Sequence, residues 1–417
     1  MLFVLSLVLF LDSVYNLVRY FYSNRLFSSQ SLFSNVENRF VILAPVLYEE
    51  DNIGRFYESL TNLSYQNYEI CFITSEKEYA RNKIENTITI LQGFAPRDNI
   101  LIIHSQDKEG NRITQLNKAY DHYQKKEMDL NKVHFVVLDA DGIIPQDLLK
   151  VINNQIEKDV EYYQIPHLWF RNYPAISSIL MKGFCYLQTY KVLSEEVPKI
   201  SGWFFPWRAK YFVGNGMVIR GSLLKKVSGF KDFIEDVRLG HICSFLGIKS
   251  KVIPFFTLTE TAPRYAILLK QTSNWFFGCN LFLSDYKEAK KINPRITYYK
   301  CAFKLFSILY ENIRWMLKNP LIVFLVLYGL YANNTVILVL STCSYLCSSL
   351  IPAVLINSYQ KDYISTYVNF PFSERVKGVF GTILIFPIYS LGTFGGAFKL
   401  AKYYLFKKVD IYKTERT

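Results

Sequence analysis

The sequence lacks the cysteine and histidine patterns that form disulfide frameworks or zinc sites. Its seven cysteines and five histidines are scattered through 417 residues, and none of their spacings matches a zinc-binding motif. Cys343 and Cys347 lie one helical turn apart in an apolar segment, which is typical of buried or lipid-facing thiols. We therefore expect the folded part to reside in a reducing compartment and to need no disulfide.

The chain also lacks a nucleic-acid recognition motif, although its net charge is +13. The basic residues are scattered, so we predict that nucleic acid is not a partner. An excess of positive charge suits a protein that lies against an anionic membrane leaflet. A solvated basic surface is the alternative.

Charge is absent from two long segments near the C-terminus. Residues 319–360 are long enough for two membrane crossings of about 20 residues each, with a turn at 331–335. Residues 378–398 form another such segment, which Pro387 and a glycine pair at 395–396 make irregular.

The N-terminal segment, residues 1–24, is apolar but lacks the basic start and small-residue cleavage site of a signal peptide, so we predict a transmembrane anchor. This set of crossings leaves the basic C-terminal tail on the outer side, against the positive-inside tendency. Either residues 378–398 re-enter the membrane or a further crossing lies near 298–318.

Between these apolar ends, residues 38–265 predict an α/β domain. Short apolar segments separated by helical stretches favour parallel strands, and ligands bind beyond the carboxyl ends of such strands. In residues 266–318, aromatic and basic side chains alternate as in helices lying in a membrane interface, or as in a basic helical face. Residues 319–417 are predicted to be a C-terminal transmembrane region with a basic cytoplasmic tail.

Asp139 and Asp141 directly follow a predicted strand, at 133–138. Mg²⁺ and Mn²⁺ prefer oxygen ligands, and one loop can aim both carboxylates at a single ion. An Asp-Gly turn that merely ends the strand is the alternative, because this dipeptide is common in turns.

Asp236 is a candidate general base. It precedes a helical stretch, and a positioned carboxylate can accept the proton of an attacking hydroxyl. Its position equally suits a structural role at the start of a helix. Farther along, Gln271 and Trp275 open another helical stretch. An indole can stack on a sugar face, although ordinary interfacial residues have the same pattern.

Together these segments resemble the family 2 glycosyltransferases over about residues 39–280. The similarity is greatest to the membrane-integrated branch, which includes cellulose, hyaluronan, chitin and poly-N-acetylglucosamine synthases and ceramide glucosyltransferases. Residues 139–141 match the DxD motif, the run ending at Glu235-Asp236 matches the catalytic Glu-Asp, and residues 271–275 match QxxRW except at Asn274. Residues 411–417 are similar to the cytoplasmic tail of some polysaccharide synthases.

The resemblance implies an α/β GT-A domain (the Rossmann-like fold of nucleotide-diphospho-sugar transferases) on the cytoplasmic side, joined to α-helical transmembrane segments. It implies an inverting single displacement with Asp236 as base beside Glu235, and Mg²⁺ or Mn²⁺ at Asp139 and Asp141. The implied donor contacts are Pro45, Glu49, Glu76, Arg112 and Asp139. The implied acceptor contacts are Gly214, Asn215, Gly216, Gln271 and Trp275.

Two of the departures from the family pattern bear most on donor binding. Ser75 stands where a uracil-contacting Asp is usual, with Glu76 as a substitute, and Asn274 replaces the Arg of QxxRW. A catalytically inactive membrane scaffold would tolerate both changes.

The leading interpretation is a plasma-membrane enzyme that uses a nucleotide sugar, predicted to be a UDP-sugar, to make a cell-surface or capsular polysaccharide. The alternative is a non-processive enzyme that adds one sugar to a ceramide- or polyprenyl-type lipid. The expected partners are therefore a nucleotide-sugar donor, a carbohydrate or lipid-linked acceptor, and the lipid bilayer.

Overall fold

The computed structural model describes residues 1–28, 36–94, 96–108, 111–126, 129–203, 207–362 and 368–406. The strands are β1 (Arg39–Pro45), β2 (Tyr68–Ser75), β3 (Ile100–Ser105), β4 (Val133–Val137), β5 (Tyr162–Gln164), β6 (His167–Leu168), β7 (Met217–Arg220), β8 (Ser250–Val252) and β9 (Thr257–Leu258).

The helices of the first half are α1 (Leu2–Ser28), α2 (Ile53–Thr61), α3 (Thr87–Gly93), α4 (Arg112–Lys125), α5 (Leu148–Gln155), α6 (Ile179–Lys191), α7 (Val197–Ser201) and α8 (Gly221–Val227). Those of the second half are α9 (Glu235–Leu246), α10 (Tyr265–Cys279), α11 (Phe282–Ile292), α12 (Tyr298–Tyr331), α13 (Thr335–Ser348), α14 (Leu350–Asp362), α15 (Phe372–Ile385) and α16 (Leu391–Phe406). Shorter 3₁₀ turns span Glu76–Arg81, Tyr173–Ala175 and Phe386–Ile388, and one π-helical turn spans Val192–Glu196.

Among the described residues, the main sheet has seven strands in the order β3-β2-β1-β4-β7-β5-β8. The first four strands pair in parallel, as the alternation of apolar and helical segments predicts. β7 runs antiparallel to both of its neighbours, so the sheet is mixed. The carboxyl ends of β1 and β4 therefore lie side by side, with Leu43 paired to Val137.

Apolar side chains cover both faces of this sheet. Along β1, Phe40 and Ile42 belong to one buried cluster, whereas Val41 and Leu43 belong to another. Strands buried on both faces read as continuous apolar runs, which is why β1, β2 and β4 are evident in the sequence.

Within the described ranges, four helical segments are long and apolar enough to cross a membrane: Leu2–Phe27, Tyr298–Tyr331, Thr335–Ser358 and Phe372–Phe406. The predicted turn at 331–335 separates the second from the third. α12 is continuous across residue 318, where the sequence predicts a boundary, so residues 298–318 form the first part of this helix rather than a separate crossing. The tail at 411–417 lies outside the described residues.

The last apolar segment packs against the predicted catalytic domain. α15 lies on α6 through Gly183 and Gly381, where a Cβ built on either glycine would come within about 2.0 Å of the other helix's backbone. α16 lies on α10, where a Cβ on Gly392 would clash with Thr272. Between them, Pro387 occupies the 3₁₀ turn that divides the segment, as predicted.

Candidate active site

In the described part of the chain, one continuous cavity of about 1350 Å³ extends from the carboxyl ends of β1 and β4 to the long apolar helices α1 and α12. We call the part around the predicted site residues the catalytic half. It is lined by Pro45, Glu49, Lys77, Arg112, Asp139, Asp141, Gly214, Asn215, Asp232, Glu235, Asp236, Glu260, Gln271, Asn274 and Trp275. The membrane half is lined by Val8, Leu11, Asp12, Tyr15, Arg19, Lys191, Glu195, Glu196, Lys199, Arg208, Tyr211, Glu311, Arg314, Trp315 and Tyr389.

The end of β4 presents both aspartates of the DxD motif to the catalytic half. The Asp139 backbone N–H donates to the side-chain oxygen of Asn215 at 3.2 Å, and the Gly142 N–H donates to the Asp139 carbonyl at 3.0 Å. These bonds fix the turn in which Asp141 is only 1% exposed. The Asp-Gly turn and the cavity-lining carboxylates are therefore parts of one local structure.

Arg112 connects three elements of the catalytic half. It is the first residue of α4, whose start is fixed by a capping box between Asn111 and Thr114. Its guanidinium lies 2.7 Å from Asp139 and 2.8 Å from Glu235. It also donates to the Gly214 carbonyl at 2.7 Å. Burial opposes its charge, but the nearby carboxylates outweigh that effect and raise the pKa of Arg112.

Glu235 and Asp236 form the first turn of α9, where the backbone N–H groups favour negative charge. Asp236 accepts a 2.7 Å hydrogen bond from the N–H of Val237. A Cβ built on Gly214 would meet the Asp236 carboxylate at 3.1 Å, so this glycine allows the chain to pass close to it. The carboxylate thus has both a helix-start contact and a position on the cavity wall.

Burial raises the pKa of both Glu235 and Asp236, while the positive charge of Arg112 acts in the opposite direction. Because the two carboxyl groups are adjacent, the protonation state of one changes the pKa of the other. A carboxylate with a raised pKa is a better proton acceptor at neutral pH than an exposed one, provided that it is ionised.

α10 contributes Gln271 and Trp275 to the wall. The buried Gln271 side-chain oxygen has no hydrogen-bond partner within the described part of the chain. The Trp275 ring packs edge to face with Trp169, with ring centroids 5.9 Å apart. At the position where the family has Arg, Asn274 accepts a 2.6 Å hydrogen bond from Lys399 of α16. A cation therefore does contact this position, but it comes from a different helix.

Two predicted contacts lie apart from the cavity wall formed by the described residues. Glu76 bonds to His104 at 2.9 Å in the 3₁₀ turn after β2. Gly216 has φ +79°, and its N–H donates to the Val137 carbonyl at 2.9 Å. A Cβ there would come within 2.5 Å of the Ile165 carbonyl, so Gly216 fits a backbone crossing rather than a ligand surface. Their roles toward donor and acceptor stay predictions.

The described residues contain no group of three or more His, Cys, Asp or Glu side chains arranged to hold a metal ion. Mg²⁺ is often bound by only one or two carboxylates together with substrate phosphates and water. Asp139 and Asp141 line the same cavity and fit that smaller ligand set.

The membrane half contains a group of charged residues that the sequence motifs do not reveal. Arg314 pairs with Asp12 at 3.1 Å and with Glu195 at 2.7 Å, and Lys318 pairs with Asp12 at 2.8 Å. Lys199 pairs with Glu311. The sequence feature that could have revealed this group is the presence of Asp12 and Arg19 within an apolar N-terminal segment. Charged residues in such segments are energetically costly and usually functional.

The chain belongs to the family 2 glycosyltransferases. The model for "Glycosyl transferase family group 2" matches residues 134–359, and the model for "Glycosyl transferase family 2" matches residues 41–196. These matches include β4, the DxD turn, α9 and the first long apolar helices after the sheet. The protein is thus a glycosyltransferase with a GT-A-like core.

Among solved structures, the mannosyltransferase PcManGT from Pyrobaculum calidifontis, in complex with GDP-Man and Mn²⁺, has a TM-score of 0.55 at 14% identity; the match covers 98% of this chain and 100% of that one. Residues 1–349 of S. aureus TarS, in complex with UDP-GlcNAc, give a TM-score of 0.41 at 12% identity, covering 85% and 92%. The first similarity confirms the fold. No curated protein sequence matches the chain.

Proposed function

We propose that the protein is a membrane-bound, inverting glycosyltransferase that transfers a sugar from a nucleotide-diphospho-sugar to an acceptor presented at the membrane. The observation that carries this proposal is that Asp139, Asp141 and Asp236, from distant parts of the sequence, line one cavity. The ion pairs of Arg112 to Asp139 and Glu235 connect the two ends of this arrangement.

The transfer is a single displacement. The acceptor hydroxyl oxygen bonds to the anomeric carbon, and its proton passes to the Asp236 carboxylate. The bond between the anomeric carbon and the diphosphate oxygen breaks, and its electron pair stays on the diphosphate. A divalent cation bound at Asp139 and Asp141 would stabilise the charge of the leaving diphosphate. Mn²⁺ in the mannosyltransferase complex supports this role for a metal.

Arg112 and Glu235 would orient the site rather than accept the proton. Arg112 holds Asp139 at the cavity wall, and its charge counteracts the mutual repulsion of the surrounding carboxylates. Pro45, which ends β1, and Glu49, which follows it, lie on the same wall, where a nucleotide would bind beyond the strand ends. The sequence patterns favour a UDP-sugar, and Glu76 stays the candidate for its base.

For the acceptor we favour a lipid-linked molecule. The cavity that contains Asp236 is also lined by Val8 and Leu11, which are 52% and 55% exposed on α1. Because α1 is long and apolar enough to cross a membrane, such side chains would face lipid. A lipid-linked acceptor would then reach the base from the bilayer.

A polysaccharide product is the second candidate. Trp169, Trp275 and Trp315 all line the cavity, and aromatic rings suit the apolar faces of sugars. A growing carbohydrate chain would then occupy the membrane half. For either reaction, we propose that the catalytic half lies at the cytoplasmic face of the plasma membrane.

Purified full-length protein, incubated with a panel of nucleotide sugars and membrane lipids, tests the proposal. We expect one donor to release nucleotide diphosphate far faster with wild type than with Asp236→Asn. A radiolabelled product that extracts into organic solvent as one species would favour the lipid acceptor, whereas a ladder on a gel would favour the polysaccharide. Equal background release by both proteins would refute catalysis at this site.

A further inference from the structure

The ion pairs of the membrane half leave two of its cations without a carboxylate. Arg314 pairs with Asp12 and Glu195, Lys318 also pairs with Asp12, and Lys199 pairs with Glu311. Within the described ranges, neither Arg19 nor Lys191 has a carboxylate oxygen within ion-pair distance. Asp12, Glu195 and Glu311 of this half are therefore engaged by other cations.

Arg19 is only 5% exposed, although it lies on the membrane helix α1. Its guanidinium donates to the backbone carbonyl of Glu195 at 2.7 Å and lies 5.5 Å from the Tyr15 ring. A guanidinium carries five N–H donors in a rigid fork that suits phosphate oxygens. The bond to the Glu195 carbonyl uses only part of the hydrogen-bonding capacity of Arg19. Arg19 also lines the cavity, so its remaining donors are available to a ligand there.

Lys191 ends α6, and the π-helical turn Val192–Glu196 follows it directly. Its ammonium donates to the Tyr389 hydroxyl at 3.0 Å and lies over the rings of Tyr389 and Trp315, at 4.4 and 5.0 Å from their centroids. Aromatic faces hold a cation in place without neutralising it. π-turns interrupt helices and often occur at functional sites.

A third donor lies beside this lysine. The buried indole N–H of Trp315 has no hydrogen-bond partner within the described part of the chain, although Trp315 also lines the cavity. Arg19, Lys191 and Trp315 come from α1, α6 and α12, so the folded chain brings these donors together from three separate elements. Buried donors without acceptors are costly, and an anionic ligand would satisfy them.

We propose that Arg19, Lys191 and Trp315 hold the phosphate of a lipid-linked acceptor in the membrane half of the cavity. This inference rests on the proposed function, because it assigns the acceptor of the same transfer. A lipid source follows from Val8 and Leu11, whose exposed apolar side chains line the same space. The catalytic half, where carboxylates predominate, is assigned to the donor diphosphate and its divalent cation.

The test uses full-length protein in uncharged phosphatidylcholine nanodiscs, with farnesyl phosphate as the probe and farnesol and inorganic phosphate as matched probes. Calorimetry measures the three affinities. We expect farnesyl phosphate to bind at least about tenfold more tightly than farnesol, the difference expected for one charge-assisted hydrogen bond. We expect inorganic phosphate to bind much more weakly than farnesyl phosphate.

Lys191→Met removes the ammonium but keeps the aliphatic stem over Trp315, and we expect it to weaken farnesyl phosphate about tenfold. Trp315→Phe removes the N–H donor and keeps a smaller aromatic ring beside Lys191, so a smaller loss of about threefold is expected. Lys290→Met on the exposed side of α11 is the matched control and should bind like wild type. Circular dichroism and gel filtration verify that each variant is folded.

Unchanged affinity in the folded Lys191→Met variant, or no preference for farnesyl phosphate over farnesol, would overturn the inference. If inorganic phosphate bound as tightly as farnesyl phosphate, a lipid source would be excluded. If phosphatidylglycerol vesicles displaced bound farnesyl phosphate as well as farnesyl phosphate itself does, a site specific for the acceptor would be excluded. Donor turnover, measured on the same preparations, separates this inference from the proposed function. If wild type preferred farnesyl phosphate but turned over donor no faster than Asp236→Asn, the proposed enzyme activity would be refuted. The phosphate-binding site would still be supported.

Discussion

The two halves of the cavity differ in the sign of their predominant side-chain charge. In the catalytic half, carboxylates predominate: Glu49, Asp139, Asp141, Asp232, Glu235, Asp236 and Glu260 accompany only Lys77 and Arg112. In the membrane half, Arg19, Lys191, Lys199, Arg208 and Arg314 outnumber Asp12, Glu195, Glu196 and Glu311. An excess of carboxylates suits a bound cation and proton transfer, whereas an excess of cations suits an anionic ligand.

The protonation states of Glu195 and Glu196 increase the difference in charge between the two halves. Burial raises the pKa of Glu196 to about 7, so part of its charge is lost at neutral pH. For Glu195, burial also acts to raise the pKa, but the positive charges of Arg314, Lys191 and Arg19 outweigh it and lower the pKa. One of two neighbouring glutamates thus stays ionised in its ion pair, while the other adds little negative charge to the membrane half.

The largest expected effect is on the base of the catalytic half. Asp236→Asn should lower kcat by about 10²–10⁴-fold, the contribution of a positioned general base. The unfolding temperature should change little, because the amide keeps the size of the side chain. Release of nucleotide diphosphate measures the rate. Asp232→Asn, an exposed position on the same wall, is the control, and an equal loss in this variant would show that the effect is not specific to Asp236.

In the membrane half, the main effect of Arg314→Leu should be a lower free energy of unfolding. The change leaves Glu195 without its salt-bridge partner and Asp12 paired only with Lys318. Breaking a buried ion pair costs about 3–5 kcal/mol, which thermal unfolding in detergent would detect. Lys300→Leu, at an exposed position on the same helix, should change stability by no more than about 0.5 kcal/mol. Similar unfolding temperatures for both variants would contradict a structural role for these pairs.

The close contact between α6 and α15 packs the last apolar segment against a helix that contributes Lys191 to the cavity wall. Gly381→Ala should destabilise the protein by about 1–3 kcal/mol, as overpacking does, because its Cβ would meet the Ile179 carbonyl at 2.0 Å. Gly54→Ala has nothing within 4 Å and should instead stabilise by about 0.4–1 kcal/mol. Chemical denaturation of both variants measures the difference, and a neutral Gly381→Ala would mean that the two helices are not this close.

The smallest expected effect is a shift in pH dependence. Asp236 accepts a proton only when ionised, so activity should be lost as the pH falls through its pKa. Because burial raises that pKa, the acid limb should lie above the value of about 3.9 of an exposed aspartate. Removing the opposing charge in Arg112→Gln should move the limb to still higher pH. A limb that stays in place, in a variant with measurable kcat, would show that Arg112 does not influence the base.

Much of the catalytic half was predictable from the sequence. β1, β2, β3 and β4 are regular apolar segments bounded by polar turns, and Asp139 follows β4 as expected. Most of the predicted site residues line one cavity, including Arg112, Gln271 and Trp275. β5, β7 and β8 were not predicted, because three or four residues are too few to show a period.

The membrane half was not predictable in the same way. Its charges come singly from α1, from the π-turn after α6, and from α12, and no local pattern relates them. The replacement of the motif arginine by Asn274 looks like a lost charge in the sequence. Only the packing of α16 on α10 shows that Lys399 contacts this position.

By itself the sequence determined the family, the parallel core of the sheet and the apolar segments, because these depend on periodicity and on short ordered motifs. The tertiary structure alone decided which charges lie together. Ion pairing and burial depend on distances between elements hundreds of residues apart, such as Asp12 and Arg314, and these distances are fixed only when helices pack.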